Sequence, residues 1–256
     1  ILPKSKMTVE HDVFETVFNV PMECQACVES VESALKPLDL QNVKVDLASE
    51  TVTAVGHVSP SAIVRAIQNT GKDAIIRGTG KPNSAAVCIL ESFDEKEFEL
   101  PVKGLARIVA VSETNIYVDL TVNGLPRGTY FPQIRASGNL SRGALSTGSL
   151  FHAFPSVEVD KPANSESAVN SIGAFSTISK NLFSAQTFLL AKLSVQDLIG
   201  RSIVLLTLEN EVSENAICGV IARSAGAWEN DKQVCSCTGK TVWQEREQAL
   251  KRGVTS

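Results

Sequence analysis

Phe14-Glu15-Thr16-Val17-Phe18-Asn19-Val20-Pro21-Met22-Glu23-Cys24-Gln25-Ala26-Cys27-Val28 changes its periodicity half-way along. Up to Val20, the residues Phe14, Thr16, Phe18 and Val20 fall on alternate positions, the period of a strand. Beyond the cysteines, Val28, Val31, Leu35 and Leu38 recur at helical spacing. A Cys-x-x-Cys pair therefore sits where a strand gives way to a helix. Such a loop exposes both sulfurs, and the partial positive charge of a helix N-terminus stabilises thiolates there. Further along, Val43 to Leu47 and Thr51 to Val55 are short β-branched runs. Ser59-Pro60 places a capping residue before a proline suited to a first helical turn, and Ile63 and Ile67 lie one turn apart beyond it. Gly71 ends that helix, and Ala74 to Ile76 supplies a last strand.

The order strand, helix, strand, strand, helix, strand predicts a small ferredoxin-like α/β sandwich over residues 8–78. Gly78, Gly80, Pro82 and Asn83 then read as a linker without periodicity. Over residues 79–223 the pattern becomes one of short β runs: Ala86 to Leu90, Val102 to Val111, Ile116 to Val122, Ser202 to Leu208 and Ala216 to Ala222. A turn at Val122-Asn123-Gly124 and the lack of a convincing helix predict an all-β sandwich or Greek-key barrel. The polar stretch Pro155 to Ser171 reads as a long surface loop. Residues 224–256 hold too few apolar side chains for a core of their own and read as a short irregular tail. The chain is thus multidomain.

Composition removes several classes of function. Of 256 residues 43% are hydrophobic, enough for a sizeable core, and 24 basic against 28 acidic side chains leave a net charge of −4. That balance argues against nucleic acid, whose phosphate backbone calls for a basic face. Within residues 8–78 the acidic side chains number ten and the basic ones five, which favours a basic partner surface. No apolar run approaches the ~18 to 20 residues of a membrane span. Ile1 to Lys6 shows no apolar secretion signal and Met7 suits a natural start, so a reducing compartment is expected. There, six cysteines read as metal ligands or redox thiols rather than a disulfide framework. Only three histidines, His11, His57 and His152, are widely spaced, so no domain can build a centre of three imidazoles.

Two thiolates without a third soft ligand suit two-coordinate, monovalent copper, whereas Zn(II) calls for four ligands and Mg(II) or Ca(II) for oxygen. An exposed, low-coordinate ion can accept an incoming thiolate before an old one leaves, and so pass between proteins. The spacing of Cys24 and Cys27 alone also fits a thioredoxin-like redox pair or half of a structural zinc site. Met22, rather than an aromatic residue, precedes the pair and is placed to prop the loop from below. Lys72, in Thr70-Gly71-Lys72, falls on the same edge of a split βαβ fold, either offsetting the charge of a bis-thiolate complex or solvated at the surface. In the tail, Cys235 and Cys237 at i and i+2 of an extended chain project to one side with Cα atoms ~6 to 7 Å apart. They can bind copper together or close a readily exchanged disulfide. Cys88 and Cys218 stand inside apolar strand patterns and read as small buried hydrophobes.

Met22 to Cys27, the βαββαβ order and Thr70-Gly71-Lys72 together resemble the heavy-metal-associated domain of copper chaperones and copper ATPases. The middle segment resembles copper-zinc superoxide dismutase through Gly124-Leu125-Pro126-Arg127-Gly128, Ile199-Gly200-Arg201-Ser202-Ile203-Val204 and Cys218-Gly219-Val220-Ile221. The dismutase ligands do not carry over: Gln133 and Arg135 occupy two copper-ligand positions, Leu206 a third, and His152 stands alone near the zinc loop. Cys218 matches a dismutase disulfide cysteine, but its partner position, in the Gly143-Ala144 turn, is alanine, so no such bridge is expected.

The three segments in this order are similar to the copper chaperones for superoxide dismutase, above all the fungal ones. The resemblance implies a metallochaperone that binds Cu(I) at Cys24 and Cys27, with Met22 and Lys72 supporting the loop, and takes copper from a membrane transporter. It implies docking on immature copper-zinc superoxide dismutase as a heterodimer, through a face built on Gly200 to Val204 and Cys218 to Ala222, and self-pairing when free. Cys235 and Cys237 would carry copper and disulfide transfer to the client. It further implies no zinc in the middle domain, no dismutase activity, and residence in the cytoplasm and the mitochondrial intermembrane space. Two other readings stand beside it: a zinc-stapled interaction protein joining Cys24, Cys27, Cys235 and Cys237 in one site, and an active dismutase.

Overall fold

The computed structural model describes residues 13–97, 101–162, 182–230 and 239–251. In the first domain β1 (Phe14–Asn19), α1 (Gln25–Leu35), β2 (Leu40–Asp46), β3 (Thr51–Gly56), α2 (Pro60–Gln68) and β4 (Ile75–Thr79) follow one another. The strands form one antiparallel sheet in the order β2-β3-β1-β4. Helical spacing puts Val28, Val31 and Leu35 of α1 and Ile63, Val64 and Ile67 of α2 on inward faces, where they pack on Phe18, Val52 and Ala54 of the sheet. Each such side chain contributes about 1.5–3 kcal/mol when fully buried. Ser59 caps α2 by accepting from the Ala62 amide at 3.3 Å, with Pro60 following at the first turn.

The second domain is mostly β. Its strands are β5 (Ala85–Glu91), β6 (Val102–Ala110), β7 (Ile116–Leu125), β8 (Gly128–Arg135), β9 (Ser141–Ala144), β10 (Leu150–Ala153), β11 (Val157–Val159), β12 (Lys161–Pro162), β13 (Phe183–Ala191), β14 (Ser202–Leu206) and β15 (Ile217–Ser224). They pair antiparallel in the order β10-β8-β14-β15-β5-β6-β7-β13-β12, and β11 pairs with β8 while lying against β13. β7 and β8 are consecutive in sequence yet not neighbours in the sheet, the crossing that marks a Greek key. Leu90, Ile108, Leu120, Ile134, Leu198, Ile203 and Leu205 fill the interior.

Five expectations change. Gly78 and Thr79 are not linker but the end of β4, and Gly80 donates its amide to Glu15 O at 2.7 Å. β7 runs through Asn123 and Gly124 to Leu125, because Gly124 adopts φ +72° within the strand's end rather than at a turn. The first part of the Pro155 to Ser171 stretch is strand, in β11 and β12, and a short helix α3 (Val195–Leu198) interrupts the β pattern. The tail is not irregular throughout, since α4 spans Val242–Lys251. Thr241 and Gln244 start α4 with a capping box: Gln244 N donates to Thr241 Oγ1 at 3.2 Å, and Thr241 N donates to Gln244 Oε1 at 2.9 Å.

The two domains are joined by a polar latch. Asp119 of β7, 1% exposed, accepts from Ser61 N at 2.8 Å and from Ser61 Oγ at 2.5 Å at the start of α2. Gln186 of β13 hydrogen-bonds Ser59, Ser61 and Arg65, and Tyr117 stacks on Phe188 at 4.6 Å with His57 edge-on to Tyr117 at 4.3 Å. The chain after β15 also returns to the first domain. Ala227 N donates to Gly80 O at 2.7 Å, Arg77 Nε to Asn230 O at 2.9 Å, and a Cβ on Gly78 would stand 2.0 Å from Gly226 O. Removing the Asp119 carboxylate by Asp119→Ala strands two buried Ser61 donors. Urea unfolding of the full chain is expected to show a loss of about 1.5–3 kcal/mol, the cost of breaking hydrogen bonds to a buried charge.

Candidate metal centre

Cys24 is the residue from which α1 starts. Its backbone is extended (φ −155°, ψ 168°), its carbonyl accepts from Cys27 N at 3.0 Å, and its side chain makes no capping bond. One helical turn on, Cys27 comes back to the same side, and the two sulfurs stand 3.5 Å apart. Cys24 is exposed and Cys27 half-buried. The Cys27 thiol is lowered from the ordinary 9.0 to about 7, first by a hydrogen bond from the backbone of Glu23, then by the Lys72 side chain, then by Cys24. Half of its population is therefore ionised near neutral pH.

Each supporting residue has a structural reason to be there. Met22, 3% exposed, is the outermost side chain of the first-domain core, packed with Phe18 and Val20, and its amide donates to Glu50 Oε1 at 3.4 Å. After α2, Gly71 at φ +81° turns the chain toward β4 and delivers Lys72 to Cys27. Two thiolates and one cuprous ion would sum to a single negative charge, and the Lys72 ammonium stands where it would balance it. Residue-type reasoning could find Lys72 but not the Glu23 amide, which any side chain at that position would supply. Glu50, too, carried no signal in a sequence read by periodicity.

The remaining cysteines have different surroundings. Cys88 and Cys218 are buried at 0% exposure, and burial pushes both thiols up to about 12. Cys218 packs with Ala144 in one small apolar cluster, so the alanine stands beside the sulfur it would have to bridge. Cys235 and Cys237 lie outside the described residues.

In the second domain Gln133 Nε2 donates to Glu209 O at 2.8 Å, and Arg135 donates to Gln133 Oε1 at 3.0 Å and, through Nη2, to Gly148 O at 2.6 Å. These two side chains bond to each other and to backbone. Leu206 is 1% exposed, and His152 stands edge-on to Phe154 at 4.8 Å, its pKa lowered by burial. Among the described residues no three His, Cys, Asp or Glu side chains are grouped to hold a metal.

Alkylation of the full chain, resolved by peptide mass spectrometry, is expected to show Cys27 reacting with an apparent pKa of about 7, while Cys88 and Cys218 stay unmodified until unfolding. Lys72→Met removes a donor and a cation, so the Cys27 value should rise toward 9.0. Its alkylation at pH 7 should slow by roughly threefold or more.

Comparison with known proteins extends this local picture to the whole chain. Residues 17–73 match the heavy-metal-associated domain family. The superoxide dismutase 1 copper chaperone of Debaryomyces hansenii is 61% identical over 95% of this chain and 98% of its own length. That of Saccharomyces cerevisiae is 43% identical, again over 95% and 98%. Among solved structures, the copper(I)-loaded first domain of the human copper chaperone for this dismutase is 28% identical, covering 27% of this chain and 97% of that one with a TM-score of 0.26. The matches extend over nearly the whole length of both proteins, and the chain belongs to the superoxide dismutase 1 copper chaperone family.

Proposed function

We propose that Cys24 and Cys27 carry one Cu(I) destined for immature copper-zinc superoxide dismutase, that the second domain recognises this client by pairing with it, and that Cys235 and Cys237 complete the transfer. The observation that carries the reading is the 3.5 Å sulfur pair at the start of α1, one member with its pKa lowered to about 7 by the Glu23 backbone and Lys72. Soft anions at an exposed helix mouth bind cuprous ion without enclosing it, which favours hand-over rather than storage. Protons compete for the same sulfurs, so copper affinity falls as pH drops below about 7.

Docking is supported by exposed apolar side chains on and beside the Cys218 to Ala222 strand that the dismutase resemblance singles out, joined by Ile89 of the neighbouring β5. Val220 of β15, Ile89 of β5 and Ile199 are 38%, 45% and 41% exposed. Gly200 N donates to Ile221 O at 2.9 Å, which holds Ile199 beside β15, and Gly138 approaches so closely that a Cβ there would meet Val220 Cγ1 at 3.0 Å. A surface of this kind suits a client monomer or, in its absence, a second copy of the chain. With Gln133, Arg135 and Leu206 in place of imidazoles, the second domain offers superoxide no copper centre, and its role is recognition.

In the tail, a Cys235–Cys237 disulfide attacked by a client thiolate would give a mixed disulfide. The second client thiolate then closes the client bridge and releases both tail thiols, moving two electrons from client to tail. The same pair reduced would bind copper. The setting is a reducing one, the cytoplasm and the mitochondrial intermembrane space, with a membrane copper transporter as the source.

Three variants separate these roles. Cys24→Ser with Cys27→Ser should remove first-domain Cu(I) binding in an anaerobic competition with a cuprous chelator. Ile89→Asp with Val220→Asp should leave that binding intact and abolish the heterodimer in sedimentation with apo-dismutase. Cys235→Ser with Cys237→Ser should keep the heterodimer and abolish client maturation; equal maturation would refute the tail's part. A single zinc bound by all four cysteines and resisting mild chelation would overturn the copper reading itself.

A further inference from the structure

Between the two domains lies a cavity of about 230 Å³ whose polar lining comes from all three segments of the chain: Arg77 of the first domain, Arg107 and Asp119 of the second, and Arg246 of the tail helix. Strand register places Arg107 of β6 opposite Asp119 of β7, and Asp119 opposite Phe188 of β13, so a row of three side chains faces the first domain. Three guanidiniums thus surround one carboxylate, and that carboxylate is engaged on both oxygens by Ser61. Arg77 gives its Nε to Asn230 O, and Arg246 reaches Asp73 through Nε at 3.5 Å.

Arg107 is different. Its guanidinium is withdrawn from solvent, and Nη1 is buried without a hydrogen-bond partner. Burial draws its pKa down to about 10 despite the attraction of Asp119, and the charge of Arg246 adds to the strain. A buried cation with an orphan donor is costly, and buried charges are ordinarily paired. The cavity has room for several waters at about 30 Å³ each. Water would satisfy the orphan N–H but would leave the excess positive charge. An oxyanion supplies acceptor and charge together, and two oxygens of a phosphate-type anion match the planar donor fork of a guanidinium.

We propose that this interdomain cavity binds a small tetrahedral oxyanion of the inorganic phosphate class, held by Arg107 with Arg246 and Arg77 at its rim. Because one arginine comes from each segment, the anion ties the tail helix to the two-domain body. The proposal is independent of the copper reading, since neither thiol pair takes part.

Calorimetric titration of the full chain with sodium phosphate, and separately with sulfate, at an ionic strength fixed with chloride, tests it. Saturable binding at one site per chain is expected, with a matching rise in melting temperature. Arg107→Met should weaken phosphate binding by about tenfold or more, the loss of one charge-assisted hydrogen bond. Arg246→Gln, which leaves the interior of both domains intact and gives up only the Asp73 contact at their edge, should also weaken it and guards against a folding defect in the first variant. Heat no greater than that of chloride would overturn the proposal. So would a melting temperature that rises equally in the wild type and both variants, the signature of general salt exclusion.

Discussion

Two sulfurs 3.5 Å apart, both required as anions for a soft metal, repel each other unless the protein supplies compensating charge. Everything around Cys24 and Cys27 answers that repulsion. The start of α1 contributes its unpaired amides, Glu23 its backbone donor, and Lys72 a mobile ammonium arriving from the far end of α2. The βαββαβ fold is what brings the last of these to the first, because β1 and β4 lie side by side in the sheet. Met22 fixes the loop from beneath by burying its thioether in the core, so the charged rim rests on an apolar anchor. On the proposed function the metal is cargo, and these residues would let it leave as easily as it arrives.

The second domain shows how a fold outlasts its chemistry. Where a dismutase would need imidazoles, Gln133 and Arg135 bond to one another and to backbone carbonyls, and Leu206 joins an apolar cluster with Cys218 and Ala144. These two polar side chains find their hydrogen-bond partners in each other and in nearby backbone. The apolar strip at Ile89, Ile199 and Val220 meanwhile stays outside, on a barrel that already has a full interior. On the same outer face of the sheet, but toward β7 and β13, Asp119, Gln186, Tyr117 and Phe188 meet the first domain. One surface orients the copper carrier and another remains for a partner.

The elements around the metal loop were legible because each had a local cause. Alternation marked β1, helical spacing marked α1, and Ser59-Pro60 marked α2, while the cysteine spacing and Lys72 were visible as residue types. The resemblance to dismutase supplied β8 and its lost ligands, which periodicity alone did not mark. What stayed hidden depended on partners far along the chain. Gly78 and Thr79 look like linker until the tail's Ala225 and Gly226 pack beside them. Asp119 reads as one polar residue in an apolar strand, and only the position of Ser61, 58 residues away, makes it a latch. The tail helix carries a local start signal, the capping box of Thr241 and Gln244, but no apolar stripe to mark its course.

The account stands on sulfur ligation of monovalent copper at the start of α1. X-ray absorption at the copper edge, on the Cys235→Ser, Cys237→Ser chain loaded anaerobically with one equivalent of Cu(I), reads that ligation directly. A first shell of sulfur alone, without the outer-shell scattering of an imidazole ring, is the predicted result. Imidazole scattering, or failure of this variant to hold copper while the tail cysteines are absent, would contradict it.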